Sequence, residues 1–168
     1  RRVLFRSAYD EETAFAYALY HLPDYYAAIQ YALDELGRDG RLSRRLRILE
    51  VGAGVGGPAL GICDYLPEET LVAYDALEPS AAADVLEPML GVTRSGFDPT
   101  VVRETAESFT PEGEYDLVVL ANVLSELDSP VEVAERYLKA LKPEGTLLAL
   151  SPAEERTATR LRGIERSL

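Results

Sequence analysis

The sequence predicts an α/β domain with a doubly wound, mostly parallel sheet of at least five strands, preceded by an N-terminal helical extension. Three observations predict it. Short apolar, β-branched runs recur between helical patterns. The run Leu117 to Ala121 is apolar throughout, as a strand covered on both faces must be. A third run, Ile48 to Val51, passes directly into alternate glycines and then into a helical pattern.

Taken in order, Arg1 to Ser7 does not fit the rest of the chain, and Val3 to Ser7 matches a translated sequencing adapter, so this stretch is set aside as non-biological. Residues 8–45 read as a helical segment and residues 46–168 as the main domain. From Asp10 to Leu36 the pattern is helical, interrupted at Pro23. Leu22, Tyr26, Ile29, Leu33 and Leu36 then recur at spacings of four and three, and Gly37 is placed to end the helix in the left-handed conformation. Six of the ten tyrosines precede position 32; with His21 they either roof a ligand pocket or form a packing face with hydroxyls at its rim. Arg38, Arg41, Arg44, Arg45 and Arg47 crowd the next connection, where they could contact phosphate or pair with nearby carboxylates.

The first strand ends in Glu50-Val51, followed by glycines at 52, 54 and 56, which tolerate positive φ and let a ligand approach the backbone. Pro58 suits the first turn of the ensuing helix, whose N-terminal N–H groups would face the ligand. A second strand, Thr70 to Leu77, ends at Glu78, positioned to accept hydrogen bonds from ribose hydroxyls; Asp75, at an odd offset, belongs to the other sheet face. A third strand, Thr100 to Arg103, leads into Glu104-Thr105. Tyr115-Asp116 introduces the fourth, and Asn122 to Leu127 comes at its carboxyl end, where open α/β sheets place ligands. Ser129-Pro130-Val131-Glu132 reads as a capping box, Lys142-Pro143-Glu144-Gly145 as a turn, and Thr146 to Leu150 as the fifth strand. Ser151 to Glu154 is expected to cap a last helix with Leu161, Ile164 and Leu168 on one face.

Composition narrows the function classes. The chain has 168 residues, 47% of them hydrophobic, which suits one domain and includes no apolar run long enough to span a membrane, so a soluble, cytoplasmic protein is expected. The lone Cys63 excludes an internal disulfide and reads as a small buried residue. The net charge of −12 opposes unaided nucleic-acid binding at low salt. Lys139 and Lys142 are the only lysines among 17 basic residues, a balance expected of halophilic proteins.

Gly52, Gly54 and Gly57 also satisfy the pattern of nicotinamide-binding loops. Glu50 favours a ligand carrying an ammonium group, which S-adenosylmethionine has and NAD lacks. Together the Glu50 to Gly56 loop, Glu78, Glu104-Thr105, Tyr115-Asp116 through Leu127 and the Lys142 to Gly145 turn resemble class I S-adenosylmethionine-dependent methyltransferases, over about positions 46 to 150. The resemblance implies their Rossmann-like fold and S-adenosylmethionine as cofactor. It would be held by Glu50, Gly52, Ala53, Gly54, Gly56, Glu78, Glu104, Thr105 and Asn122, with Asn122, Ser125 and Glu126 as candidates on the acceptor side and no metal. The Asn/Asp-Pro-Pro-Tyr motif of amine methyltransferases is absent, since Ala121-Asn122-Val123-Leu124 stands there.

A narrower resemblance, to the methyltransferase-like proteins of the ribosomal small subunit in mitochondria and prokaryotes, rests on His21 to Ala27, Val123 to Leu127 and Ser151-Pro152. It implies the small subunit or its rRNA as partner, and a continuation beyond Leu168 with clustered cysteines and further strands. The readings left open are a working methyltransferase, a cofactor-binding ribosome-assembly protein without turnover, and a nicotinamide-dependent oxidoreductase.

Overall fold

The computed structural model describes residues 10–42, 45–93 and 99–168, so the stretch Arg1 to Ser7 and Arg44 of the arginine cluster lie outside the described residues. The elements run α1 (Glu11–Tyr20), α2 (Leu22–Arg38), β1 (Leu46–Val51), α3 (Gly57–Tyr65), β2 (Leu71–Leu77), α4 (Ala83–Thr93), β3 (Thr100–Val102), β4 (Tyr115–Ala121), α5 (Pro130–Leu138), β5 (Leu141–Leu150) and α6 (Glu155–Glu165).

The five strands form one parallel sheet in the order β3-β2-β1-β4-β5. The chain steps outward from β1 through β2 to β3, then returns to place β4 on the other side of β1. The direction of winding therefore reverses between β1 and β4, and the crevice beyond their carboxyl ends is the place a ligand enters such a sheet. Period-two alternation divides the core. Ile48, Tyr74, Ala76, Leu117 and Val119 pack with Ile29, Leu33, Ala59, Ile62, Leu86 and Leu90 from α2, α3 and α4. Leu49, Val51, Leu77, Val118 and Leu120 pack with Val133, Ala134, Tyr137 and Ile164 from α5 and α6. Cys63 is buried and, as the lone cysteine, forms no internal disulfide.

Several local expectations give way. The helical segment breaks at His21, and Pro23 lies in the first turn of α2, where it needs no N–H partner. Helix α2 runs past Gly37 to Arg38; Gly40 takes the positive φ, 69°, while Arg41 N–H closes on the Leu36 carbonyl at 2.9 Å. Ser129 makes no side-chain cap, although Pro130 does open α5. The last helix is preceded by Glu154, again without a side-chain cap, and Thr157 Oγ1 donates to the Pro152 and Glu154 carbonyls. Of the expected apolar stripe, Ile164 is buried but Leu168 is exposed. Residues Lys142 to Gly145 form an irregularity within β5, because Tyr115 pairs with Leu141 whereas Leu117 pairs with Thr146. No helix among the described residues is long and apolar enough to cross a membrane.

Candidate cofactor and acceptor site

At the carboxyl end of β1 the three glycines adopt the expected left-handed backbone, with φ of 71° at Gly52, 56° at Gly54 and 89° at Gly56. Two of them differ in what a side chain would meet. A Cβ on Gly52 would lie 2.9 Å from Val123 Cγ2, so the loop is pressed against the segment after β4; a Cβ on Gly54 would meet nothing within 4 Å. Gly54 thus presents bare backbone to open space. The loop's first N–H groups are used inside the protein: Gly52 and Ala53 both donate to the Leu77 carbonyl, at 2.8 and 3.0 Å, and Gly54 donates to Glu78 Oε2 at 2.8 Å.

Glu78 is 6% exposed. Its second oxygen accepts from Ser80 N at 2.9 Å and Ser80 Oγ at 2.5 Å, so this carboxylate ties the glycine loop to the start of the next connection. Glu50, one strand over, is fully buried. Its Oε2 accepts the Tyr74 hydroxyl and its Oε1 has no partner. Burial pushes the Glu50 carboxyl up to about 8; the Tyr74 hydrogen bond pulls it down, and the charge of Glu78 raises it further.

On the far side of the crevice Asn122 holds a φ of 60°, a conformation that asparagine tolerates better than most side chains, and its N–H donates to the Leu150 carbonyl at 2.9 Å. Ser125 Oγ turns back to the Asn122 carbonyl at 3.1 Å. Arg160 of α6 donates to the carbonyls of Ser125 and Leu127, at 3.0 and 2.8 Å, clamping the segment from behind. Glu126 is open to solvent, yet the protein crowded around its carboxyl raises it above the ordinary carboxylate range, and Glu78 pushes the same way.

Helix α1 covers the loop. Ala14 packs against Val55 of the loop and Ala82 ahead of α4. From there Tyr17, His21 and Tyr25 form a ladder of rings with centroids 4.6 and 6.0 Å apart. Tyr25 is raised by burial and then by Tyr17 and Glu126, which places the ladder's inner end beside the post-β4 segment. Tyr17 and His21, with Glu12, Thr13, Ala16 and Tyr20, line an open groove.

Glu50, the glycine loop, Glu78, Asn122 and Glu126 thus converge at the carboxyl ends of β1, β2 and β4. Glu104 and Thr105 stand beyond β3, where Glu104 is exposed and Thr105 is bonded to Ser108 in a local turn. Arginines 38 and 47 take the pairing role: Arg38 binds Asp34 and Glu35, and Arg47 reaches Asp75 while lying over the Tyr115 ring. Tyr74, Ser80 and Arg160 escaped sequence reasoning. Tyr74 sits diagonally across from Glu50 on the paired strand, a neighbourhood set by the register of β1 against β2 and so not readable from the sequence.

A family profile described as "Methyltransferase domain" matches residues 49–147, more than half of the chain. The chain belongs to that family. Dependence on S-adenosylmethionine goes with membership, which displaces the nicotinamide reading.

The methyltransferase domain is 33% identical over 123 residues to the hybrid PKS-NRPS synthetase LUC5 of a Fusarium species, covering 70% of this chain and 3% of that protein. It is 32% identical over 129 residues to the highly reducing polyketide synthase PKS6 of Gibberella zeae, covering 71% and 5%. The chain therefore spans a few per cent of the length of these synthases. Among solved structures, the DhpI-SAM-HEP complex superposes with a TM-score of 0.65 at 20% identity, covering 90% of this chain and 66% of that one. Magnesium protoporphyrin IX methyltransferase from Synechocystis PCC 6803, with bound SAM, gives 0.63 at 16% identity, covering 84% and 67%. These two share the fold. None of the four is ribosomal, so the narrower resemblance gains nothing from them.

Proposed function

We propose that the methyltransferase domain holds S-adenosylmethionine between the glycine loop, Glu50 and Glu78, and methylates a small, uncharged organic acceptor of the polyketide kind. The observation that carries the cofactor assignment is the buried Glu50 carboxyl with its unpartnered Oε1, set on the strand that leads into the open face of Gly54. A buried oxygen without a donor calls for one, and the cofactor's ammonium group fits that demand. S-adenosylmethionine supplies a methyl group on a positively charged sulfur that is already activated, so placement rather than covalent help is what the reaction asks of the protein.

The chain's own residues provide that placement. Gly54 lets a ligand lie against backbone. Glu78 fixes the loop and offers carboxylate oxygens beside it, and the Asn122 backbone turns the post-β4 segment toward Gly52. The acceptor class follows from charge and relatives together. Glu78 and Glu126 disfavour an anionic acceptor such as a nucleic-acid backbone, the Tyr17–His21–Tyr25 ladder favours a flat or apolar one, and the related proteins are polyketide synthases.

Mass spectrometry after incubation with S-adenosylmethionine and acetoacetyl-N-acetylcysteamine, with small-subunit rRNA in a parallel reaction, tests this reading. A methylated thioester and unmodified RNA are expected. Methylated RNA with an untouched thioester would restore the ribosomal reading.

A further inference from the structure

Beneath the glycine loop the Glu50–Tyr74 pair is built in a way that holding a cofactor does not require. Both side chains are buried; one Glu50 oxygen takes the Tyr74 hydroxyl and the other takes nothing. Among the described residues, the ionisable groups acting on the pair include Glu78 beyond the end of β2, which acts on Glu50, and Cys63 of α3, which faces Tyr74. No lysine, arginine or histidine among the described residues forms an ion pair with Glu50. An isolated carboxylate in such surroundings is costly enough that the group takes up a proton instead.

We propose that Glu50 and Tyr74 form a proton-holding pair: without cofactor Glu50 is the neutral acid, and when the cofactor's ammonium group reaches the unpartnered oxygen, Glu50 gives up its proton to solvent. This rests on the reading that the site binds S-adenosylmethionine. The step balances simply: the carboxyl O–H bond breaks, the proton passes to buffer, and the remaining carboxylate pairs with the incoming cation without any redox change. Tyr74 is a positioning residue. Its hydroxyl holds the carboxyl in place and stabilises the charged form, so it sets the pH at which the exchange occurs. The elevation of Glu50 to about 8 agrees with this, since the acid form then dominates at neutral pH.

Calorimetric titration of the intact chain with S-adenosylhomocysteine, which keeps the amino-acid end and lacks the methyl group, tests the pair. Runs at pH 7 in buffers of different ionisation enthalpy should show release of close to one proton. Affinity should rise by about tenfold per pH unit between roughly pH 6 and 7.5. Methylthioadenosine, which carries the base and ribose without the ammonium group, should release none. Glu50→Gln should abolish the release. Tyr74→Phe should bind and shift the pH profile upward, a change that a purely structural role for the ring would not produce.

Binding of S-adenosylhomocysteine without proton release, or equal release by methylthioadenosine, overturns the proposal and leaves the cofactor reading intact. Failure of S-adenosylhomocysteine to bind the folded chain overturns both. Should Glu50→Gln fail to fold, the buffer series on the unaltered chain still decides.

Discussion

Glu78 satisfies three donors with two oxygens, so it ties the glycine loop to the start of the connection after β2. Glu78→Ala is expected to weaken S-adenosylhomocysteine binding by about 1.5–3 kcal/mol, the range for hydrogen bonds to a charged group. The domain should stay folded but melt at a lower temperature, because Gly54 N and Ser80 lose their acceptor; calorimetry and thermal denaturation read the two effects separately. Unchanged affinity in a folded variant would remove Glu78 from the cofactor site. Glu50 affects stability through pH. Its folded value, about 8, lies above the ordinary 4.5, so its stabilising contribution is whole below about pH 4.5 and is lost as pH rises through 8. Across that window the loss is on the order of a few kcal/mol. Glu50→Gln should therefore flatten the decline in melting temperature of the cofactor-free chain between pH 5 and 8, and a decline equally steep in the variant would place the cause elsewhere. The positions of Glu50 and Glu78 were legible in the sequence because strand ends and loop spacing are local. Their partners, Tyr74 and Ser80, were not, because which donor reaches a carboxylate depends on strand register and on the path of a loop.

At the scale of elements, α2 and α3 approach until backbone meets side chain. A Cβ on Gly61 would overlap Ile29 Cγ2 and lie 2.7 Å from the Tyr26 carbonyl oxygen, and Tyr26 OH donates to Asp64 one turn further along α3 at 2.8 Å. Gly61→Ala should improve intrinsic helix propensity by up to about 1 kcal/mol yet destabilise the domain, since overpacking costs about 1–3 kcal/mol and the obstructing atoms include backbone. Urea denaturation decides the sign, and a stabilised variant would mean that the two helices can separate at little cost. The sequence showed this face of α2 through Leu22, Tyr26, Ile29, Leu33 and Leu36, but not what it packs on. The order of the strands was likewise hidden beyond the doubly wound class, while each strand could be read from its apolar run. The expected caps failed at Ser129 and Glu154 for a different reason. A capping residue needs its side chain turned toward the helix, and Ser129, at φ −124° and ψ 68°, makes no such bond although its spacing to Glu132 is right.

Over the whole molecule, 29 acidic residues face 17 lysines and arginines. Several of the cations are already committed: Arg38 to Asp34 and Glu35, Arg103 to Asp84 and Glu87, Lys142 to Asp116. Salt then acts in two directions. It weakens these pairs, which are largely exposed and contribute about 0.2–1 kcal/mol each. It also screens repulsion among the surplus carboxylates, which the compact state concentrates and the unfolded chain relieves. At molar salt the Debye length is about 3 Å, so only charges in direct contact still interact, and the many longer repulsions fade before the few short pairs do. Excess charge should therefore win. The melting temperature is expected to rise from dilute buffer to about 2 M potassium chloride, with the steepest gain below about 0.5 M, where the screening length changes fastest. Sodium sulfate matched for ionic strength separates this from the general strengthening of apolar burial, which sulfate enhances far more than chloride does. A melting temperature that stays flat or falls in potassium chloride would show that the ion pairs outweigh the surplus charge, and would remove the case for adaptation to high salt.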